Sequence, residues 1–327
     1  MNYLITTIIF FLLTSLTLSY SKDDNFEIQH ADSLETENKQ INIKGNVLIT
    51  YKDANIEAPE CVLESNEKGE PQKAIFTGRA KLKLKDKALE ADKITITIKD
   101  KFIYAEGNTL SNLKDKKNNP IIISSDYQDL YWNGENANAK GNLKSTYQDT
   151  NVKADEVKII YKNKRPDFAI FLGTLKQATL EQPTNITTAN KLIFAIATKN
   201  IQGNGNVKST IWPDEKMSRD KQSPVNLSTE ELYIDHKTGI ITAKSGTQLV
   251  MLDYEAIKGE SREAFLYKNE DDGKPERIVF KGQANVIQED KQLTSEEVVF
   301  NFNDKKLISK TQTNIRPKTL IFKKDKV

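Results

Sequence analysis

The sequence predicts an all-β chain in which short antiparallel strands pass from one sheet to a facing one. Three observations carry that expectation: apolar residues alternate with period two, glycines recur at a nearly fixed interval inside that alternation, and one short phrase is written three times. The phrase reads GEPQKAIFTG from Gly69, KRPDFAIFLG from Lys164 and GKPERIVFKG from Gly273, and its closing glycines Gly78, Gly173 and Gly282 stand 95 and 109 residues apart. That spacing is too regular for chance and too long for one hairpin, so it marks an internal repeat.

The alternation defines the strands. Ile41, Ile43, Gly45, Val47, Ile49 and Tyr51 share one parity; so do Ala74, Phe76, Gly78, Ala80, Leu82 and Leu84, and again Ile278, Phe280, Gly282, Ala284 and Val286. Period two held over about ten residues is a β-strand with those side chains on one face. Leu143 and Val207, two residues beyond Gly141 and Gly205, join the same inward set. A mid-strand glycine costs stability unless the backbone bends or another segment comes close. A corner between two facing sheets supplies that need, and Gly45, Gly78, Gly107, Gly141, Gly173, Gly205 and Gly282 are assigned to corners. Gly246 continues the series but fits poorly, because Leu249 and Met251 take the opposite parity.

Between the glycines lies a second recurring phrase, as in NIEAPECVL, ALEADKITI, NVKADEVKII, NITTANKLIF, NLSTEELYI and QLTSEEVVF. Pairs such as Glu90 with Asp92 or Glu296 with Glu297 suggest acid-base chemistry. A catalytic pair is needed once, however, so repetition assigns these carboxylates to solvated outward positions or strand-end turns. Polar turns such as NEKGEP, KDKKNNP and KNKRP then separate about thirty short strands at roughly ten residues each.

A longer period frames the chain. Gly45, Gly141 and Gly246 are 96 and 105 residues apart, and ADSL, SDYQDL and STEEL stand upstream of them. Three repeats follow, at 22–121, 122–223 and 224–317, with a basic tail at 318–327. Residues 1–21 carry no charged side chain, run apolar from Leu4 to Leu18, and offer Ser19 and Ser21 at a cleavage site. They read as a secretory signal peptide, with an uncleaved anchor as the alternative.

Composition narrows the function. Apolar residues make up 37% and charged residues 29%, which suits burial on one face of each strand. Lys plus Arg number 48 against 46 Asp plus Glu, interspersed, which is not the basic stripe nucleic-acid binding requires. Cys61, the single cysteine, reads as a small buried hydrophobe. His30 and His236 stand 206 residues apart, without a histidine or cysteine at metal-ligand spacing, and no G-x-S-x-G occurs. No catalytic residue, metal site or cofactor is therefore assigned. Trp132 and Trp212 are read as packing residues.

The A-D-S-L start, the K-G-N-V corner, the A-D-K or A-D-E-V step and the P-E-R-I-x-F-x-G return together resemble the OstA/LptA family of periplasmic lipopolysaccharide-transport proteins. The likeness extends over residues 26 to about 317. It implies an elongated open antiparallel β-jellyroll, a V-shaped trough of two sheets, similar also to the N-terminal domain of LptD. It further implies lipopolysaccharide or a related glycolipid as ligand, LptC-like and LptD-like jellyrolls as partners by edge-strand pairing, self-association, and a place in the periplasm of a diderm bacterium. The chain departs from the family by its length.

Alternating apolar and charged faces support that mechanism on physical grounds, since acyl chains bind by burial at about 0.8 kcal/mol per CH₂. The inward set Ile41, Ile43, Val47, Ile49, Tyr51, Phe76, Ala80, Leu82, Leu84, Leu143, Val207, Ile278, Phe280, Ala284 and Val286 is the expected lipid-binding surface. Phe26 and Ile28 at one end, and Leu320 and Phe322 at the other, lie on strands whose open edges could pair with a partner. The competing readings are a membrane-anchored LptC-like component of the same bridge and a structural or adhesive surface β-solenoid.

Overall fold

The computed structural model describes residues 26–132, 136–214, 216–269, 274–310 and 317–321. The expected signal segment, Gly273 and Phe322 lie outside the described residues. In chain order the strands begin with β1 (Phe26–His30), β2 (Ser33–Glu37), β3 (Gln40–Tyr51), β4 (Ala54–Ser65), β5 (Pro71–Leu84), β6 (Lys87–Thr97), β7 (Phe102–Lys114) and β8 (Pro120–Tyr131). They continue as β9 (Asn136–Tyr147), β10 (Thr150–Lys162), β11 (Arg165–Leu172), β12 (Ala178–Gln182), β13 (Asn185–Ala189), β14 (Lys191–Ala195), β15 (Ile201–Ile211) and β16 (Val225–Ile234). The last are β17 (Ile241–Lys244), β18 (Val250–Tyr254), β19 (Ile257–Ser261), β20 (Glu263–Lys268), β21 (Pro275–Gln288), β22 (Lys291–Asn301), β23 (Leu307–Lys310) and β24 (Lys318–Ile321). A single 3₁₀ turn, Arg219–Lys221, interrupts the described strands.

All described pairings are antiparallel and join one 24-stranded sheet. The sheet is creased along its length, and the crease divides it into two half-sheets. One half runs from β1 and the second half of β3 to the first half of β22 and β24. The other runs from β2 and the first half of β3 to the second half of β22 and β23. Twelve strands cross the crease whole: β3 to β10, β15, β16, β21 and β22. The others meet it in pairs, such as β11 with β12 and β17 with β18. Each half is thus eighteen strands deep among the described residues, about 80 Å at roughly 4.8 Å per strand.

Two corner designs alternate along the crease. In β3, β7, β9 and β15 a Gly-Asn step, such as Gly107-Asn108, takes the left-handed conformation at both residues, with φ of +78° and +48° in that case. The register jumps there, between Glu106 and Thr109 against β8, which is a β-bulge that turns the strand. Inward parity survives this corner, as Ile43, Gly45 and Val47 anticipated. In the intervening strands parity slips by one: β4 buries Ile56 and Ala58, then Cys61 and Leu63. The acidic phrase sits at that slip. Asp32, Asp92 and Asp126 lie against Gly45, Gly107 and Gly141, where an added Cβ would come within 2.0, 2.5 and 2.4 Å of the carboxylate.

In β4, β6, β8, β10, β16 and β22 the acidic phrase marks the middle of a long strand, while Asp32 and Asn190 stand between paired short strands; the sequence thus suggests thirty short strands where the described residues form twenty-four, twelve of them long. Gly173 and Gly246 keep their places in the series, yet each opens a short loop that splits its strand in two. Asp155 fills the first loop, accepting hydrogen bonds from Leu175 N at 2.5 Å and Lys176 N at 3.1 Å. Glu230 fills the second, accepting from Gly246 N at 2.8 Å and Gln248 N at 3.1 Å, and from the Thr247 hydroxyl. The loop explains why Gly246 lacked the parity of its neighbours.

Candidate functional site

The inner faces of the two half-sheets meet. Ile43, Val47, Ile49, Tyr51, Phe76, Ala80, Leu82, Leu84, Leu143, Val207, Ile278, Phe280, Ala284 and Val286 are buried, and Ile41 is half-buried at the margin. Cys61 belongs to the same layer, and burial pushes its thiol up to about 12. These side chains belong to a single contiguous apolar cluster extending from Phe26 to Phe300. Nine of the fifteen predicted positions come from the first three long strands and β21 lies far along the crease, so the fold joins segments that are distant in sequence into one interior.

Around its middle that interior is filled. Near its middle, between Tyr147, Ile159 and Phe171, the void measures about 10 Å³, room for one water molecule at most. Nor is the interior uniformly apolar. Gln182 donates to the Thr150 hydroxyl at 3.0 Å and accepts from Asn185 at 2.9 Å, and Thr187 and Ser209 hydroxyls meet at 2.8 Å. All five side chains are buried and hydrogen-bonded, so the polar row is satisfied where it stands. Sequence reasoning passed over it because Thr and Ser occupy strand positions as readily as valine does.

The mouth of the V, opposite the crease, is bridged from turn to turn. At one end the Trp132 indole donates to Asp53 at 3.2 Å and lies edge-on to Tyr51, whose ring stacks on Phe26. Next, Arg165 pairs with Asp86 at 3.1 Å, and Lys87 sits 4.7 Å above the Tyr161 ring. Lys116 pairs with Asp167 at 3.2 Å and Lys199 with Asp149 at 3.0 Å. Further on, His236 Nε2 and Gln182 Oε1 are 3.2 Å apart, and Lys305 pairs with Glu255 at 3.3 Å beside the Tyr254 and Phe302 rings. The ion pairs are at least partly exposed, so each contributes up to about 1 kcal/mol. Their partners stand 50 to 79 residues apart in sequence, which left no local signal to read.

The remaining predicted residues fall as follows. His30 is exposed beside Asp32, 3.5 Å away. Trp212 lies under the Arg219 guanidinium, 4.2 Å from ring centre. Phe26 turns inward and caps the interior, while Ile28 packs at its margin on β1. Leu320 is exposed on β24, which among the described residues pairs with β22 alone. The outer face is less polar than the alternation suggests: Phe102 and Tyr131 meet there at 5.2 Å, and Tyr104 stacks with Tyr127 at 6.4 Å. Among the described residues no group of three His, Cys, Asp or Glu side chains could hold a metal ion, and no helix is long and apolar enough to cross a membrane.

The fold defines a class: a long antiparallel sheet, creased by glycine bulges, whose inner faces make one continuous interior. No family model matches the sequence, and no curated protein matches it. Among solved structures the chain is similar to LptH, the LptA homologous periplasmic component of the lipopolysaccharide transport device from Pseudomonas aeruginosa. The two are 14% identical, the match covers 64% of this chain and 98% of LptH, and the TM-score is 0.19.

Proposed function

We propose that this chain is a lipid-binding bridge protein of the OstA/LptA type, acting in the periplasm of a diderm bacterium. In this reading the acyl chains of lipopolysaccharide or a related glycolipid lie between the half-sheets and the sugars stay outside. The observation that carries it is the single apolar layer that the inward residues form from Phe26 on β1 to Phe300 on β22. Each tail CH₂ moved from water into that layer contributes about 0.8 kcal/mol. Side chains that exchange one apolar neighbour for another lose little hydration energy, so the opposing cost is the separation of a close-packed interior.

The halves must therefore part to take up lipid, and the bridges at the mouth are individually weak enough to allow it. Among the described residues, β1 and β2 at one end and β23 and β24 at the other each pair on one side only. Open edges of that kind suit strand addition by an LptC-like or LptD-like jellyroll, or by a second copy. Native mass spectrometry after incubation with lipopolysaccharide tests the reading: protein with one or more bound glycolipids is expected, and protein that emerges bare refutes it.

One observation favours a second reading. An interior filled at its middle, where the void is about 10 Å³, is what a purely structural rod or surface adhesin would have. Such a protein would take up no lipid and would keep its mouth closed.

A further inference from the structure

The mouth is not bridged evenly. Between the Lys116–Asp167 and Lys199–Asp149 ion pairs lies a cavity of about 180 Å³, walled by the 115–117 and 147–148 turns on one side and by Pro166, Ile196 and Ala197 on the other. Tyr147 and Ile196 line both this cavity and the small void inside, so two side chains separate the outside from the interior at this point. The cavity is smaller than the roughly 300–1,000 Å³ that encloses a whole small molecule. It suits the end of one chain.

Its chemistry is divided. Tyr147, Pro166 and Ile196 give an apolar floor, and three lysines line the cavity as well: Lys117, and Lys116 and Lys199, whose ammonium groups stand in the flanking ion pairs. Asp115, the acidic residue of the lining, is engaged by its own turn and by β9: it accepts from Asn119 N at 2.7 Å and Lys117 N at 2.8 Å, and from Tyr147 Oη at 2.8 Å. The acids that face the rim from across the mouth, Asp167 and Asp149, are each bound to a lysine.

We propose that this gap is a lateral inlet for an anionic amphiphile, which threads one acyl chain past Tyr147 and Ile196 while its acidic head stays at the lysine rim. The proposal rests on the lipid-carrier reading and locates where the lipid enters. Lipid then passes between the half-sheets from the side and not only from the open ends of the fold.

Two double variants test it, K116C/D167C and K199C/D149C, each joined by a short bifunctional thiol reagent, with E255C/K305C as a remote pair on the same mouth. Uptake of cis-parinaric acid is followed by fluorescence, and the unjoined form of each variant serves as its own folding control. Joining either flank of the gap is expected to slow uptake at least tenfold, while joining the remote pair changes it less than twofold. A Lys117→Glu variant is expected to weaken binding of the fatty acid and not of its methyl ester. Unchanged uptake with both flanks joined, or equal slowing by the remote pair, overturns the inlet and leaves the carrier reading standing. No uptake by any unjoined form removes the carrier reading and the inlet with it.

Discussion

The Phe280 ring fills the space that a side chain at Gly259 would need: an added Cβ would lie 2.1 Å from Phe280 Cε1. Gly259 belongs to β19 in one half-sheet and Phe280 to the part of β21 in the other, so this contact spans the interior. Gly259 is thus retained for close approach, unlike the glycines of the crease.

The two positions are therefore coupled. Phe280→Ala is expected to cost about 3–5 kcal/mol, and Gly259→Ala about 2–3 kcal/mol by overpacking. In the Phe280→Ala background, Gly259→Ala should cost under about 1 kcal/mol, because the ring it strikes is gone. Urea denaturation of the four proteins of the cycle checks this; additive costs would show that the halves do not touch there.

The crease makes a second comparison. Gly107, at φ +78°, has Asp92 Oδ2 2.5 Å from an added Cβ, whereas Gly69, at φ +80°, has nothing within 4 Å. Gly69→Ala carries the backbone cost alone, about 1–2 kcal/mol. Gly107→Ala adds a collision with a carboxylate that Asn108 already holds at 2.8 Å, and is expected to cost about 3 kcal/mol. Thermal unfolding of the two variants separates these terms.

Acid should loosen one corner. Hydrogen bonds from the Thr247 hydroxyl, and from Gly246 and Gln248 backbone N–H groups, hold the Glu230 carboxyl at about 2, down from 4.5. A carboxyl depressed on folding adds stability that is fully present above its unfolded value and is lost as pH falls toward the folded one. Glu230→Gln is expected to lower Tm at pH 7 and to leave it unchanged near pH 2. Equal Tm differences at both pH values would rule out this corner as the cause.

Cys61 reports on the interior. Its thiol is 1% exposed and pushed up to about 12 by burial, so it should react with a thiol reagent at pH 8 only when its surroundings open. Labelling is expected to be at least a hundredfold slower than in urea-unfolded protein; labelling as fast as in the unfolded chain would contradict the closed interior.

The strands through the glycines were legible because a Gly-Asn bulge preserves inward parity, so Ile41 to Tyr51 reads as one face on both sides of the corner. The intervening strands were harder. The slip in β4, from Ala58 to Cys61, looks in sequence like the end of one strand and the start of another. The mouth was illegible: whether Asp86 meets Arg165 depends on how far the twisted halves are sheared against each other, which no local pattern records. Gly259 was passed over for a similar reason, since the ring it accommodates stands on the opposite half. The acids were visible as a repeated phrase, but their purpose at the corners appears only once Asp92 is set against Gly107.

The central claim is that the inward residues shelter lipid tails. Tyr51, Phe76 and Phe280 are buried rings, so benzoylphenylalanine can replace each with the least change of shape, and Lys81, Lys144 and Lys258 supply exposed positions on the outer face. After irradiation with lipopolysaccharide, covalent glycolipid is expected at the three inward positions and absent from the three outward ones. Labelling of both sets alike, or of neither, would contradict it.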